Sequence, residues 1–267
     1  MTDATPETPG TRYTIRPTAA LLTPPGIRLP PATYGIPSRR HPQCGVPLAP
    51  ALATLYETFA APRPRTIVGC PCCIDRKDIG TLLRTPLRAL TSRQLGSYAS
   101  SLFHTVGEVD DFRYFLPRIL EIVATEPHWW PSPEVALEKL RLGGWSDWPP
   151  AERAAIEAVL MAMFEDALID PDPFAFHIDE LLCGLARAGQ PLAPYLAALE
   201  APGHETALHA VVARRWDGKL GRLVAEAGNF WEDAPQGVAA MTAFLAAYEG
   251  QAMDWVAEEY RRADRIP

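Results

Sequence analysis

Three of the five cysteines of this chain fall within four positions, and they are the residues best suited to chemistry. The sequence GCPCC places Cys70 and Cys73 at a C-x-x-C spacing and adds Cys72 between them. Two thiolates at this spacing can bind one tetrahedral Zn²⁺ from a tight turn. The sequence therefore predicts a metal or thiol site at this turn.

A second pair of residues that can bind a metal ion precedes the turn in the sequence. His41 and Cys44 flank two residues and are followed by a glycine, as in a zinc knuckle. With Cys70 and Cys73 they would give a site of three cysteines and one histidine. The 25 residues between Cys44 and Cys70 exceed the roughly 15–20 that separate paired knuckles. The predicted metal ligands are Cys70, Cys73, Cys72, Cys44 and His41, and the predicted cofactor is zinc.

Two other interpretations of the cysteine turn stay open. Buried cysteine packs as a small hydrophobic side chain, so the thiols could simply be free. Alternatively, Cys73 precedes Asp75, which is a plausible helix N-cap, and Arg76 and Lys77 follow. A helix N-terminus and nearby cations both lower the pKa of a thiol, which favours a reactive or redox-active cysteine.

Two further groups of ligand-type residues have simpler explanations. The first comprises His104, Glu108, Asp110 and Asp111. Such a group can bind a divalent ion, but acidic residues are also favoured in the first turn of a helix. His204 and His209 are five positions apart, about 140° around a helix, so they cannot share a metal ion from one regular helix.

Four tryptophans lie within twenty positions and are interleaved with prolines. They are Trp129, Trp130, Trp145 and Trp148. Aromatic and proline-rich surfaces can recognise peptides. Because each tryptophan buries a large area, we expect these residues to pack loops onto helices.

The composition argues against several classes of function. The net charge of −7 argues against a general nucleic-acid binder, and no apolar run approaches the roughly 18 residues of a membrane span. Five unevenly spaced cysteines and no apolar leader argue against a secreted disulfide framework. We expect a cytoplasmic protein whose partner is another protein, with no nucleic acid and no membrane involved.

Helices are the elements that must position the cysteines. Apolar residues recur at i, i+3, i+4 and i+7, and glycine or proline stands at most junctions. The capping-box pair Thr91 and Gln94 starts one such pattern, which continues to Val106 before Gly107. The best strand candidate is the short segment 65–68, just before the cysteines. We predict an all-α protein of about ten helices, arranged as a multi-helix bundle or an irregular α-solenoid.

Proline content divides the chain into two parts. Thirteen of its 28 prolines lie in the first 64 residues, and proline lacks the N–H that helices and central strands require. We predict an extended proline-rich arm over residues 1–48 and a helical domain over 49–267. A change in composition near residue 170 predicts a subdomain break there.

The stretch from Pro62 to Leu168 resembles a group of bacterial helical proteins with no established activity. The matching strings are GCPCC, LTSRQLGSYA, EVDDFRYFLPRILE and KLRLGGWSDWPPAE. The resemblance implies a GCPHC-like form in those proteins, with histidine where Cys72 stands here. Cysteine and histidine are exchangeable zinc ligands, so this suits a metal or thiol site. It also implies that those proteins begin near Pro62, which leaves His41 and Cys44 outside the shared site.

Two functions are consistent with the sequence. The first is a protein–protein interaction or regulatory module with a structural zinc or a thiol site at the cysteine turn. The alternative is a metal- or thiol-dependent enzyme centred on Cys70, Cys72 and Cys73, with acid or base groups such as His104 or Asp111 nearby. No nucleophile elbow, phosphate-binding loop, dinucleotide fingerprint or EF-hand loop occurs in the sequence, which favours the first.

Overall fold

A computed structural model describes residues 47–126, 128–169, 171, 176–217, 220, 222–225 and 230–263. This part of the chain contains eleven α-helices, four short 3₁₀ turns and one two-stranded antiparallel sheet. The predicted all-α class with about ten helices is therefore confirmed. Residues 1–46 of the predicted arm lie outside the described residues, and the subdomain break near residue 170 stays a prediction.

The helices follow one another with short connections. They are α1 (Leu48–Thr58), α2 (Arg76–Arg84), α3 (Ser92–Ser101), α4 (Val109–Thr125), α5 (Pro133–Leu142), α6 (Pro150–Ile169), α7 (Phe176–Arg187), α8 (Ala193–Leu199), α9 (Glu205–Arg214), α10 (Pro235–Leu245) and α11 (Ala252–Ala263). The strands β1 (Trp216–Asp217) and β2 (Arg222–Leu223) pair between α9 and α10. Within the described residues, no helix has both the length and the apolar character needed to cross a bilayer.

Local sequence signals explain where several helices begin. Thr91 and Gln94 form the predicted capping box at the start of α3. The side chain of Asp75 caps α2 by accepting a hydrogen bond of 2.9 Å from a backbone N–H of its first turn. Ser132 precedes α5, and Pro133 occupies the first helical position, where its missing N–H costs nothing.

The hydrophobic core is formed by helices that pack side by side, notably α1 with α6 and α5 with α7. Phe112 and Phe115 of α4 are fully buried in it. The α5–α7 pair approaches closely at Gly184, where an added Cβ would lie 2.7 Å from the backbone oxygen of Pro133. A larger side chain at this position would force the two helices apart.

The helix α3 ends at Ser101, five residues before the predicted end at Val106. Leu102 and Val106 are both buried, so their spacing imitates a helical stripe. Phe103, however, has a φ of +63°, a left-handed conformation that no regular α-helix contains. Residues 102–106 therefore form a loop, called the 102–106 loop below, that turns back toward the cysteines.

The strand candidate at residues 65–68 does not form a strand. Gly69, the next residue, forms a single antiparallel bridge with Val106 of the 102–106 loop. One bridge does not make a strand, but it joins the segment that leads into the cysteines to the loop that follows α3.

Candidate functional site

The sulfur atoms of Cys70, Cys72 and Cys73 all lie within 4.8 Å of one another. The Cys70 and Cys72 sulfurs are 2.7 Å apart, and the Cys72 and Cys73 sulfurs are 3.7 Å apart. Cys72 is exposed and the other two are partly exposed, and all three are unpaired thiols. Among the described residues, no other group of three or more histidine, cysteine or acidic side chains is close enough to hold a metal ion.

Backbone hydrogen bonds close the turn that carries these cysteines. The N–H groups of Cys73 and Ile74 both donate to the backbone oxygen of Cys70, at 3.0 and 3.2 Å. Ile74 is almost fully buried, so it anchors the turn against the core just before α2. The closed turn holds the three sulfurs together without help from a disulfide.

Two more backbone hydrogen bonds attach the turn to the 102–106 loop. The N–H of Cys70 donates to the backbone oxygen of Thr105 at 2.8 Å, and the N–H of Gly107 donates to the backbone oxygen of Val68 at 2.7 Å. They flank the Gly69–Val106 bridge in the pattern of an antiparallel pair. The cysteine turn and this loop therefore form one local unit.

The thiols of Cys70 and Cys72 differ in pKa. The hydrogen bond from Cys72 holds the pKa of the Cys70 thiol below its usual value. The same bond, together with the hydrogen bond and negative charge of the neighbouring sulfurs, raises the pKa of Cys72 to about 11. Cys70 is therefore the first of these two thiols to ionise, and its thiolate opposes the ionisation of Cys72.

This difference predicts selective alkylation. In the metal-free, reduced protein near pH 8, Cys70 should react with iodoacetamide about tenfold faster than Cys72, because the thiolate is the nucleophile. Cys183 supplies an internal control, since it is fully buried and its pKa is raised to about 12, mainly by burial. Peptide mass spectrometry after short exposures measures the rates. Faster labelling of Cys72 than of Cys70 would contradict the prediction.

Asp111, one member of the predicted acidic group, serves the fold. The Asp111 carboxylate accepts hydrogen bonds from the Glu108 N–H and the buried Tyr98 hydroxyl, both at 2.8 Å. Burial raises the pKa of Asp111 even though it accepts these bonds. Both of its oxygens are engaged, so it caps α4 rather than offering a metal site.

Two histidines and the clustered tryptophans make their contacts with residues other than the cysteines. His204 hydrogen-bonds the backbone oxygen of Ala198 at 2.8 Å, and His209 stacks on Trp255 with ring centres 4.1 Å apart. Three of the four clustered tryptophans donate their indole N–H to backbone oxygens, as expected for packed loops. Trp130 differs, because it is 66% exposed beside a groove of about 580 Å³.

The structure brings together three of the five predicted metal ligands. Cys70, Cys72 and Cys73 meet, whereas His41 and Cys44 lie outside the described residues and stay predictions. The C-x-x-C spacing drew attention to Cys70 and Cys73, yet Cys72 is the sulfur nearest to Cys70. Only the conformation of the turn determines which pair is closer, so spacing alone could not rank them.

Fold and site together define a class: a helical protein with a three-cysteine cluster that could hold a metal ion. No family model, curated protein or solved structure matches this chain.

Proposed function

We propose that this protein is a cytoplasmic interaction module whose cysteine turn binds a thiolate-preferring metal ion, zinc being the first ion to test. The grouping of Cys70, Cys72 and Cys73 within 4.8 Å on a closed turn is the observation that carries the proposal. Thiolate ligands select zinc or monovalent copper over the hard cations magnesium and calcium. Free surface thiols of this kind persist in a reducing compartment.

The electrostatics of the cluster favour a cation. Hydrogen bonds with the neighbouring sulfurs, and then the negative charge of those sulfurs, raise the pKa of Cys72 to about 11, and ionised sulfurs this close together repel one another. A metal ion between them replaces the protons and relieves this repulsion, so zinc affinity should increase with pH. Zinc affinity rises with pH because the pKa of Cys72 is raised: the zinc-bound form needs the Cys72 thiolate, whereas the metal-free form retains its proton at neutral pH.

An interaction role is supported by the surface next to the turn. Val68 is 66% exposed and Val109 is 39% exposed, and a backbone hydrogen bond from Gly107 to Val68 holds the segments that carry them together. These two exposed apolar side chains next to the turn offer surface that a protein partner would cover. The partner is expected to cover these valines.

Elemental analysis of the purified protein tests the metal site directly. The protein is prepared without chelators or nickel chromatography, loaded with zinc, and passed through gel filtration. One equivalent of bound metal per chain is expected, and removing it should lower the melting temperature by several degrees, because metal that binds the folded state stabilises it. Less than about a tenth of an equivalent after loading would refute the proposed site.

A further inference from the structure

The described cluster supplies three thiolates, whereas structural zinc sites take four protein ligands. We propose that His104 is the fourth ligand, so that the turn and the 102–106 loop together form a site of three cysteines and one histidine. This inference rests on the proposed metal site and assigns a ligand that the spacing of the cysteines does not reveal.

Backbone pairing brings His104 within reach of the cysteines. Cys70 donates its N–H to Thr105, the residue after His104. The single N–H···O bond keeps the Cα atoms of Cys70 and Thr105 within roughly 7 Å, and successive Cα atoms are about 3.8 Å apart, so the Cα atoms of Cys70 and His104 are at most roughly 11 Å apart. A cysteine, a zinc ion and a histidine together span roughly 11 Å. The imidazole lies outside the 4.8 Å group of sulfurs, so the proposed ligation requires its side chain to rotate toward them.

The backbone just before His104 is in a strained conformation. Phe103 has a φ of +63°, which costs a residue with a Cβ about 1–2 kcal/mol, and glycine would adopt it freely. Had α3 continued to Val106, as its apolar spacing predicts, His104 would project from a helix instead of a loop paired with Cys70. Strained backbone of this kind concentrates at functional sites.

The imidazole of His104 is available as a ligand. It is exposed, and no hydrogen bond or ion pair joins it to the rest of the described chain. His204 and His209, in contrast, are already engaged with Ala198 and Trp255. An uncommitted imidazole loses no existing contact when it binds a metal ion.

Zinc and cobalt(II) titrations of the wild type and single-residue variants test the assignment. In His104→Ala, zinc affinity should fall about 100-fold, while the cobalt–thiolate charge-transfer absorbance persists and the ligand-field bands shift. His104→Cys should retain the affinity and increase the charge-transfer absorbance by about a third, because it adds a fourth thiolate to three. His128→Ala is the matched control, since His128 is exposed and far along the chain from the turn, and it should behave as the wild type.

The outcomes separate the two proposals. If the zinc affinity of His104→Ala stays within about threefold of the wild-type affinity, the assignment of His104 is overturned and the three-thiolate site stands. A 100-fold loss in His41→Ala or Cys44→Ser, with none in His104→Ala, would assign the fourth ligand to the segment before α1 instead. No zinc binding by the wild type would refute the proposed metal site and this assignment with it.

Discussion

Replacing Arg215 with methionine should lower the free energy of unfolding by about 3–5 kcal/mol. Arg215 follows α9 and is completely buried. Its guanidinium donates to the carboxylate of Asp179 in α7 and to the backbone oxygen of Ala225. Methionine fills a similar volume but leaves Asp179, itself 3% exposed, as a buried carboxylate without its main partner.

The neighbouring arginine provides a matched control. Arg214 approaches the same Asp179 carboxylate at 3.5 Å, but 23% of its side chain is exposed. Because Arg214 lies farther from the carboxylate and is partly solvated, Arg214→Met should cost clearly less than Arg215→Met. The double variant Asp179→Leu with Arg215→Met should recover part of the loss, since it removes both buried charges.

Urea unfolding followed by tryptophan fluorescence measures these differences. Trp231 is a suitable reporter, because it is 1% exposed and its ring centre lies 4.7 Å from the guanidinium carbon of Arg215. Equal losses in Arg214→Met and Arg215→Met would show that burial does not distinguish the two arginines. A loss below about 1 kcal/mol in Arg215→Met would contradict the prediction.

Changing Cys70 to serine should weaken zinc binding by at least about 100-fold. Cys70 carries the thiol with the lowered pKa, and its sulfur is 2.7 Å from that of Cys72. Serine keeps the backbone hydrogen bonds of the turn but replaces the soft thiolate with a hydroxyl that zinc binds poorly. At a zinc concentration 100 times the wild-type dissociation constant, binding adds about 2.7 kcal/mol to the stability, and the variant should lose most of it.

Calorimetry with and without zinc measures this loss, and the metal-free proteins serve as their own baseline. The melting temperatures of wild type and Cys70→Ser should agree without zinc, because the side chain of Cys70 is partly exposed. Cys183→Ala is the control for removal of a thiol elsewhere, and it should keep the full zinc-induced increase. An undiminished increase in Cys70→Ser would exclude this cysteine as a ligand.

Helix starts and core faces were predictable because their causes are local. The side chains of Thr91 and Gln94 satisfy backbone groups within four residues, so the sequence alone identifies the cap. The end of α3 was not predictable in this way. Leu102 and Val106 keep helical spacing, but they are buried in a packed loop that is bridged to Gly69. Periodicity alone cannot distinguish such a loop from the buried face of a helix.

Long-range charge pairs also could not be predicted from the sequence. Asp179 and Arg215 are 36 positions apart, and neither stands in a motif, so only the packing of α7 against α9 reveals the pair. The candidate site falls between these cases. Spacing drew attention to Cys70 and Cys73, but the approach of the 102–106 loop depends on tertiary contacts.

The two hydrogen bonds that join the cysteine turn to the 102–106 loop have a consequence for local unfolding. The turn cannot open without breaking the bond from Cys70 to Thr105, and the loop cannot leave without breaking the bond from Gly107 to Val68. Gly107 also adjoins the start of α4, where Asp111 holds the buried Tyr98. Turn, loop and helix start should therefore open as one cooperative unit, so that anything bound at the sulfurs slows amide hydrogen exchange as far as Gly107.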